Sequence, residues 1–112
     1  MKVQELTPEL QHQVAFDLYS LSRIPDCAGC YCLTNATGQI LYIGQSVSMR
    51  SRLAQHFYSD KRISQTPLGR VSVAWWRVAD PSKLSALERG WIESVRLRDG
   101  ALPPLNRVSA PT

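Results

Sequence analysis

Gly29-Cys30-Tyr31-Cys32-Leu33-Thr34-Asn35-Ala36-Thr37-Gly38-Gln39-Ile40-Leu41-Tyr42-Ile43-Gly44 is two β-prone runs on either side of a cluster of turn formers, Asn35 to Gly38. Such a pattern predicts an antiparallel hairpin. With the turn at 35 to 38, Thr34 opposes Gln39, and the register places Tyr31 directly opposite Tyr42, so that two phenol rings share one face. As a packing feature alone, the pair is a cross-strand aromatic contact worth up to about 1 kcal/mol.

Working outward, a helix is expected from about Ser48 to Phe57, because Met49, Leu53 and Phe57 recur at i, i+4 and i+8. Arg52 and His56 border that stripe. A guanidinium there has a fork of donors that matches phosphate oxygens, and His56 can bind a phosphate, shuttle a proton or simply pack. Val71 to Val78 reads as a third, largely buried strand that carries Trp75 and Trp76 into the core. Asp80-Pro81 then caps a long helix with the apolar stripe Leu84, Leu87, Trp91, Ile92 and Val95. Glu88 falls inside that stripe, whereas Glu93 points to solvent. A carboxylate facing a core side needs a cation, a metal or hydrogen-bond donors to offset its desolvation. Towards the N-terminus, Thr7-Pro8-Glu9 followed by Leu10, Val14, Leu18 and Leu21 predicts a packing helix that ends by Pro25.

The chain has 112 residues, 44% of them hydrophobic and 20% charged, which fits one globular domain. It divides into a helical extension over 1–26, the main domain over 27–108 and a tail over 109–112. No apolar run is long enough to span a membrane and no signal-peptide core is present, so a cytoplasmic location without membrane contact is expected. The net charge is +4, and between Arg50 and Arg70 five basic residues (Arg50, Arg52, Lys61, Arg62, Arg70) face one acid, Asp60. That segment suits a polyanion such as DNA, or is a solvated basic face. Cys27, Cys30 and Cys32 lie too close together on a strand pattern for mutual bridging. A closed zinc site needs four ligands, and beyond them only His12 and His56 remain.

These features together resemble the GIY-YIG nuclease family over about Gly29 to Asn106. The first triplet stands as Gly29-Cys30-Tyr31 and the second as Tyr42-Ile43-Gly44, with ten residues between the tyrosines. Arg52 and His56 sit at the family's arginine and histidine, Glu88 at its metal-binding glutamate, and Pro104-Leu105-Asn106 resembles its closing motif. Cys30 replaces the usual aliphatic residue and is expected to point away from the tyrosines as a small hydrophobe.

The resemblance implies an α/β (α+β) fold in which helices flank a three-stranded antiparallel sheet, here with an extra N-terminal helix. It also implies a cleft gathering Tyr31, Tyr42, Arg52, His56 and Glu88, supported by Gly29, Gly44 and Asn106. The activity implied is metal-dependent DNA endonucleolysis, with Glu88 holding one Mg²⁺ or Mn²⁺, Arg52 on the phosphate and one tyrosine helping to activate water; Asn106 is expected to position the surroundings of the glutamate. The alternative is a module on the same fold that binds nucleic acid without cutting it or depends on a partner. Whether the chain forms a homodimer or takes a targeting partner is open at this point, as is the DNA structure it prefers.

Overall fold

The computed structural model describes residues 1–59 and 66–107. In chain order the elements are β1 (His12–Ala15), α1 (Leu18–Leu21), β2 (Gly29–Thr34), β3 (Ile40–Ser46), α2 (Met49–Ser59), β4 (Val73–Val78) and α3 (Leu84–Asp99). Among the described residues, single 3₁₀ turns also lie at Val3–Glu5, Pro81–Lys83 and Pro104–Asn106. All strand pairs are antiparallel and the spatial order is β1-β4-β2-β3. The fold class is therefore α+β as expected, with four strands in place of three.

The additional strand corrects the N-terminal expectation. Residues 12–15, read as helix, pair with β4 from His12↔Trp76 to Ala15↔Val73, and only one turn of helix follows at Leu18–Leu21. Leu10, Val14, Leu18 and Leu21 have helical spacing, but β4 would otherwise present a row of unpaired backbone groups. Pairing with that edge outweighs a weak local preference. The N-terminal segment is thus part of the sheet and not a helical layer upon it.

The hairpin forms, with a different register. Tyr31 opposes Gly44, Leu33 opposes Tyr42 and Thr34 opposes Ile40, leaving Leu41 unpaired as a β-bulge. Asn35 sets this geometry: its Oδ1 accepts from the backbone N–H of Thr37 and of Gln39, each at 3.0 Å, and Gly38 supplies the positive φ of 88° that the turn requires. A bulge places two successive side chains on one side. Leu41 and Tyr42 accordingly both pack on the tyrosine face, while Ile40 and Ile43 pack on the other.

Two cores result. On one face Tyr31, Leu33, Leu41 and Trp76 meet Leu21 and Ile24 together with Met49 and Leu53 of α2. On the opposite face Cys30, Cys32 and Ile43 meet Leu84, Trp91 and Val95 of α3, with Trp75 packed beside them. Trp76 is buried, and Trp75 is half-buried with its indole N–H donated to Thr34 Oγ1 at 3.1 Å. Phe57, expected in the α2 stripe, is instead 39% exposed, and His56 takes the sheet-facing position after Leu53. The third predicted strand starts at Val73, two residues later than its apolar run.

Candidate active site

One cross-sheet row organises the site: His12, Trp76, Tyr31 and Gly44 are successive partners on β1, β4, β2 and β3. His12 stacks on Trp76 with centroids 5.2 Å apart, so the row is filled by rings up to Tyr31 and then opens at a glycine. Tyr31 leans into that opening. A Cβ on Gly44 would lie 2.7 Å from both Cζ and the hydroxyl of Tyr31 and 2.8 Å from Cε2 of Tyr42. Gly29 serves a second close approach, since a Cβ there would meet the Arg77 carbonyl at 2.4 Å and Met49 Sδ at 2.5 Å. The first glycine thus seats the start of α2 against the sheet, and the second makes room for the head of Tyr31.

His56 lies between the two tyrosines. Its ring centroid is 5.9 Å from that of Tyr31 and 5.2 Å from that of Tyr42, and the tyrosines are 6.2 Å apart. The tyrosines share a face as expected, though they are diagonal neighbours and not opposed. The Tyr31 hydroxyl is 2.9 Å from His56 Nε2, and the Arg52 guanidinium lies near enough to that oxygen to favour negative charge on it. In the tautomer with Nε2 unprotonated, the phenol O–H donates to it. Tyr31 is fully buried, and burial, with Tyr42 and Glu88 nearby, pushes its hydroxyl far above the ordinary 10.0 against the opposing pull of Arg52. It is a phenol held neutral.

Arg52 is exposed, and its Nη1 donates to Gln55 Oε1 at 2.7 Å, which fixes the guanidinium along α2. Glu88 comes from α3, on the opposite face of the sheet, and is half-buried within the electrostatic reach of Tyr31. The cleft is therefore assembled around the edge strand β3, with α2 supplying groups from one side and α3 from the other. Gln45, directly after Tyr42-Ile43-Gly44, lies near Glu88 and favours its charged form, and its Nε2 donates to Ser85 Oγ of α3 at 3.4 Å. The sequence reading missed this residue. Its signal was available as a polar side chain at a β3 position on the same side as Ile43, facing α3.

Asn106, expected to position the surroundings of the glutamate, binds the backbone of Ile43, whose side chain packs on the α3 face of the sheet. Its Oδ1 accepts from Ile43 N–H at 2.9 Å and its Nδ2 donates to Ile43 C=O at 3.0 Å, the two-point contact an adjacent strand would make. It satisfies the outer edge of β3 at Ile43, as Met1 does at Ile40, and fixes the backbone between Tyr42 and Gly44. Cys30 packs beneath α3, its thiol 3.5 Å from the Leu84 carbonyl and pushed by burial to about 12, an inert small hydrophobe as expected. Of the basic segment, Arg50 is exposed and gives Nε to the Ile24 carbonyl at 2.7 Å, and Arg70 is exposed; Lys61 and Arg62 lie outside the described residues.

The chain belongs to the GIY-YIG family: residues 27–99 match the GIY-YIG catalytic domain, a nuclease domain. Among known proteins it is similar to the UvrABC system protein C of Saccharopolyspora erythraea, 31% identical over 96 residues that cover 77% of this chain and 13% of that protein. The protein of the same name from Tropheryma whipplei (strain Twist) is 32% identical over 95 residues, covering 77% of this chain and 16% of the relative. That of Acetivibrio thermocellus is 37% identical over 60 residues, 53% of this chain and 9% of the relative. The chain thus spans no more than 16% of the length of these three relatives. No described helix is long and apolar enough to cross a membrane.

Glu88 fits a divalent cation. Burial raises its carboxyl above the ordinary 4.5, with only Gln45 opposing, and among the described residues no lysine or arginine pairs with it. No group of three or more His, Cys, Asp or Glu that could hold a metal occurs among the described residues, so an ion would rest on one protein carboxylate, completed by water and substrate oxygens. This desolvation has a measurable consequence in the metal-free protein. A folded-state pKa above the unfolded value means that this group's contribution is most favourable at acid pH and is lost as pH rises through the folded pKa. Glu88→Gln is therefore expected to be more stable than wild type at pH 7 in EDTA, with the gap closing as pH falls to 4.5 and below. Urea midpoints at the two pH values measure it; equal midpoints at pH 7 would refute the desolvation argument.

Proposed function

We propose that this domain is a divalent-metal-dependent DNA endonuclease that hydrolyses phosphodiester bonds. The observation that carries the reading is the convergence of Arg52 and His56 on the neutral Tyr31 phenol, beside a half-buried carboxylate that lacks a cationic partner among the described residues. Tyr31 and His56 form a relay. As the attacking water gives its proton to the Tyr31 oxygen, the phenol proton passes to His56 Nε2, so Tyr31 carries the proton without being the final base. Tyr42, packed on the His56 ring, holds that imidazole in place. Arg52 faces the non-bridging oxygens of the phosphate, where charge accumulates as the phosphorus–oxygen bond to the leaving group breaks. Glu88, oriented by Gln45, would hold the Mg²⁺ or Mn²⁺, which when bound supplies charge neutralisation at phosphate oxygens. The exposed arginines Arg50 and Arg70, with Lys61 and Arg62 of the same segment, give the polyanion its electrostatic attraction.

The test uses purified wild type and Glu88→Ala with supercoiled, linear and branched DNA in Mg²⁺, Mn²⁺ or EDTA. Metal-dependent nicking by the wild type, lowered by about 10³-fold or more in Glu88→Ala, is expected. DNA binding by both proteins without cutting in any metal would instead support a binding module that relies on a partner.

A further inference from the structure

α3 runs along the rim of β3 in the opposite direction. Ser85, near its start, accepts a hydrogen bond from Gln45; Asp99, at its end, holds the Met1 amine at 2.7 Å, and the Met1 carbonyl accepts from Ile40 N–H. The chain then turns back, and the Asn106 side chain binds the Ile43 backbone between those two points. An arginine directly follows each of the two residues that meet this rim from the α3 side: Arg89 follows Glu88, and Arg107 follows Asn106.

The four arginines beyond Glu88 are of two kinds. Arg96 gives Nε to Glu93 Oε2 at 2.9 Å and Arg98 pairs with Glu5 at 3.0 Å, so both charges are balanced by carboxylates. Arg89 and Arg107 have no carboxylate partner among the described residues. Both are exposed, and each is tethered through Nε to a backbone carbonyl, Arg107 to Leu102 at 2.6 Å and Arg89 more loosely to Ser85 at 3.5 Å. A carbonyl steadies a guanidinium without neutralising it, and a tether through Nε leaves both Nη groups for another ligand. An uncompensated planar fork suits a phosphate.

The tethers also place the two charges. At about 100° per residue, Arg89 lies about 40° from Ser85 around α3, and its guanidinium reaches back over the preceding turn, level with Gln45. Arg107 is drawn the other way, towards Leu102 on the returning chain. Glu88, one turn beyond Ser85, lies between them. Gln45 and Ile43, which mark the two levels, are two residues apart on a strand, about 7 Å. At about 3.4 Å per nucleotide of a strand, that is about two nucleotides.

We propose that Arg89 and Arg107 bind phosphates on either side of the scissile one, so that the strand being cut lies along the outer rim of β3 and is held from the α3 side as well as from α2. The contacts reach the sugar-phosphate backbone alone, so the grip fixes register without reading sequence. The inference rests on the nuclease reading, because that reading supplies the DNA.

Binding without chemistry tests it. In a Glu88→Ala background with EDTA, affinity for a short duplex is measured over a range of salt concentrations, where each phosphate neutralised contributes about −0.9 to the slope of log K against log salt. Arg89→Gln/Arg107→Gln is expected to make the slope shallower by about two and to weaken binding about tenfold or more at fixed salt. Arg96→Gln/Arg98→Gln, which removes the same formal charge from the same helix, should leave the slope nearly unchanged. Arg89→Lys/Arg107→Lys should restore it, since the count of charges is restored, and circular dichroism confirms that each variant is folded. An unchanged slope in Arg89→Gln/Arg107→Gln, or an equal fall in Arg96→Gln/Arg98→Gln, overturns the grip and leaves the nuclease reading standing. Absence of cutting by the wild type in any metal, with DNA binding retained, is the separate result that overturns the nuclease reading; absence of all DNA binding overturns both.

Discussion

Arg52→Lys is expected to lower the single-turnover rate of phosphodiester cleavage by about 10²–10³-fold, the loss usual for one well-placed transition-state donor. The charge is retained in this substitution, so the effect isolates geometry. Arg52 has its Nη1 held by Gln55, lies within electrostatic reach of the Tyr31 phenol, and is exposed. A lysine ammonium is a single point on a flexible stem and cannot stay beside the phenol oxygen while also spanning two phosphate oxygens. Because Arg52 is exposed, its replacement should alter unfolding stability by no more than about 0.5 kcal/mol. DNA affinity should fall far less than the rate. A variant that cuts at the wild-type rate would remove Arg52 from the mechanism, and a parallel collapse of stability would assign it to the fold.

Gly44→Ala should injure fold and site together. Its methyl group would enter a space already occupied by the head of Tyr31, with Tyr42 on the other side. Tyr31 has nowhere to withdraw: it is fully buried, Trp76 flanks it across the sheet, and His56 holds its hydroxyl. Overpacking of this kind costs about 1–3 kcal/mol. Displacing the phenol from His56 should in addition lower cleavage by about 10²-fold. A double-mutant cycle with Tyr31→Phe checks the cause: removing the hydroxyl relieves part of the clash, so the stability losses should be less than additive. Strict additivity would place the damage elsewhere on β3.

The candidate site was legible in the sequence because its parts obey strong local periods. Tyr31 and Tyr42 fall on one face of a hairpin, Arg52 and His56 on one side of a helix, and Glu88 inside an apolar stripe; each assignment needs only the pleat or the helical repeat. The parts that were not legible depend on distant chain. The segment around Val14 has helical spacing, and only the open edge of β4, some sixty residues later, makes it a strand. The hairpin register was set two positions off: the turn is one residue longer, pairing Thr34 with Ile40 and not Gln39, and the bulge at Leu41, which has no signature in a continuous apolar run, adds the second. The partners of Asn106 and Gln45 follow from tertiary placement alone: a motif can mark Asn106, but not show that it binds the Ile43 backbone. Glu88 reaching the site from the far face of the sheet was likewise invisible to a helical wheel, which gives a direction relative to its own axis only.

The Asn106 clamp bears on when the domain becomes whole. Its two bonds join positions 63 residues apart, and Asn106 lies beyond residue 99, where the match to the catalytic domain ends. As the chain is synthesised, all four strands and both long helices emerge before the residue that seals β3. Met1 already covers the start of that rim by accepting from Ile40 N–H, but until then the N–H and C=O of Ile43 lack these two bonds and the backbone between Tyr42 and Gly44 lacks its brace. The brace beside Tyr42 is thus one of the last contacts the described chain can make, a late event in its life.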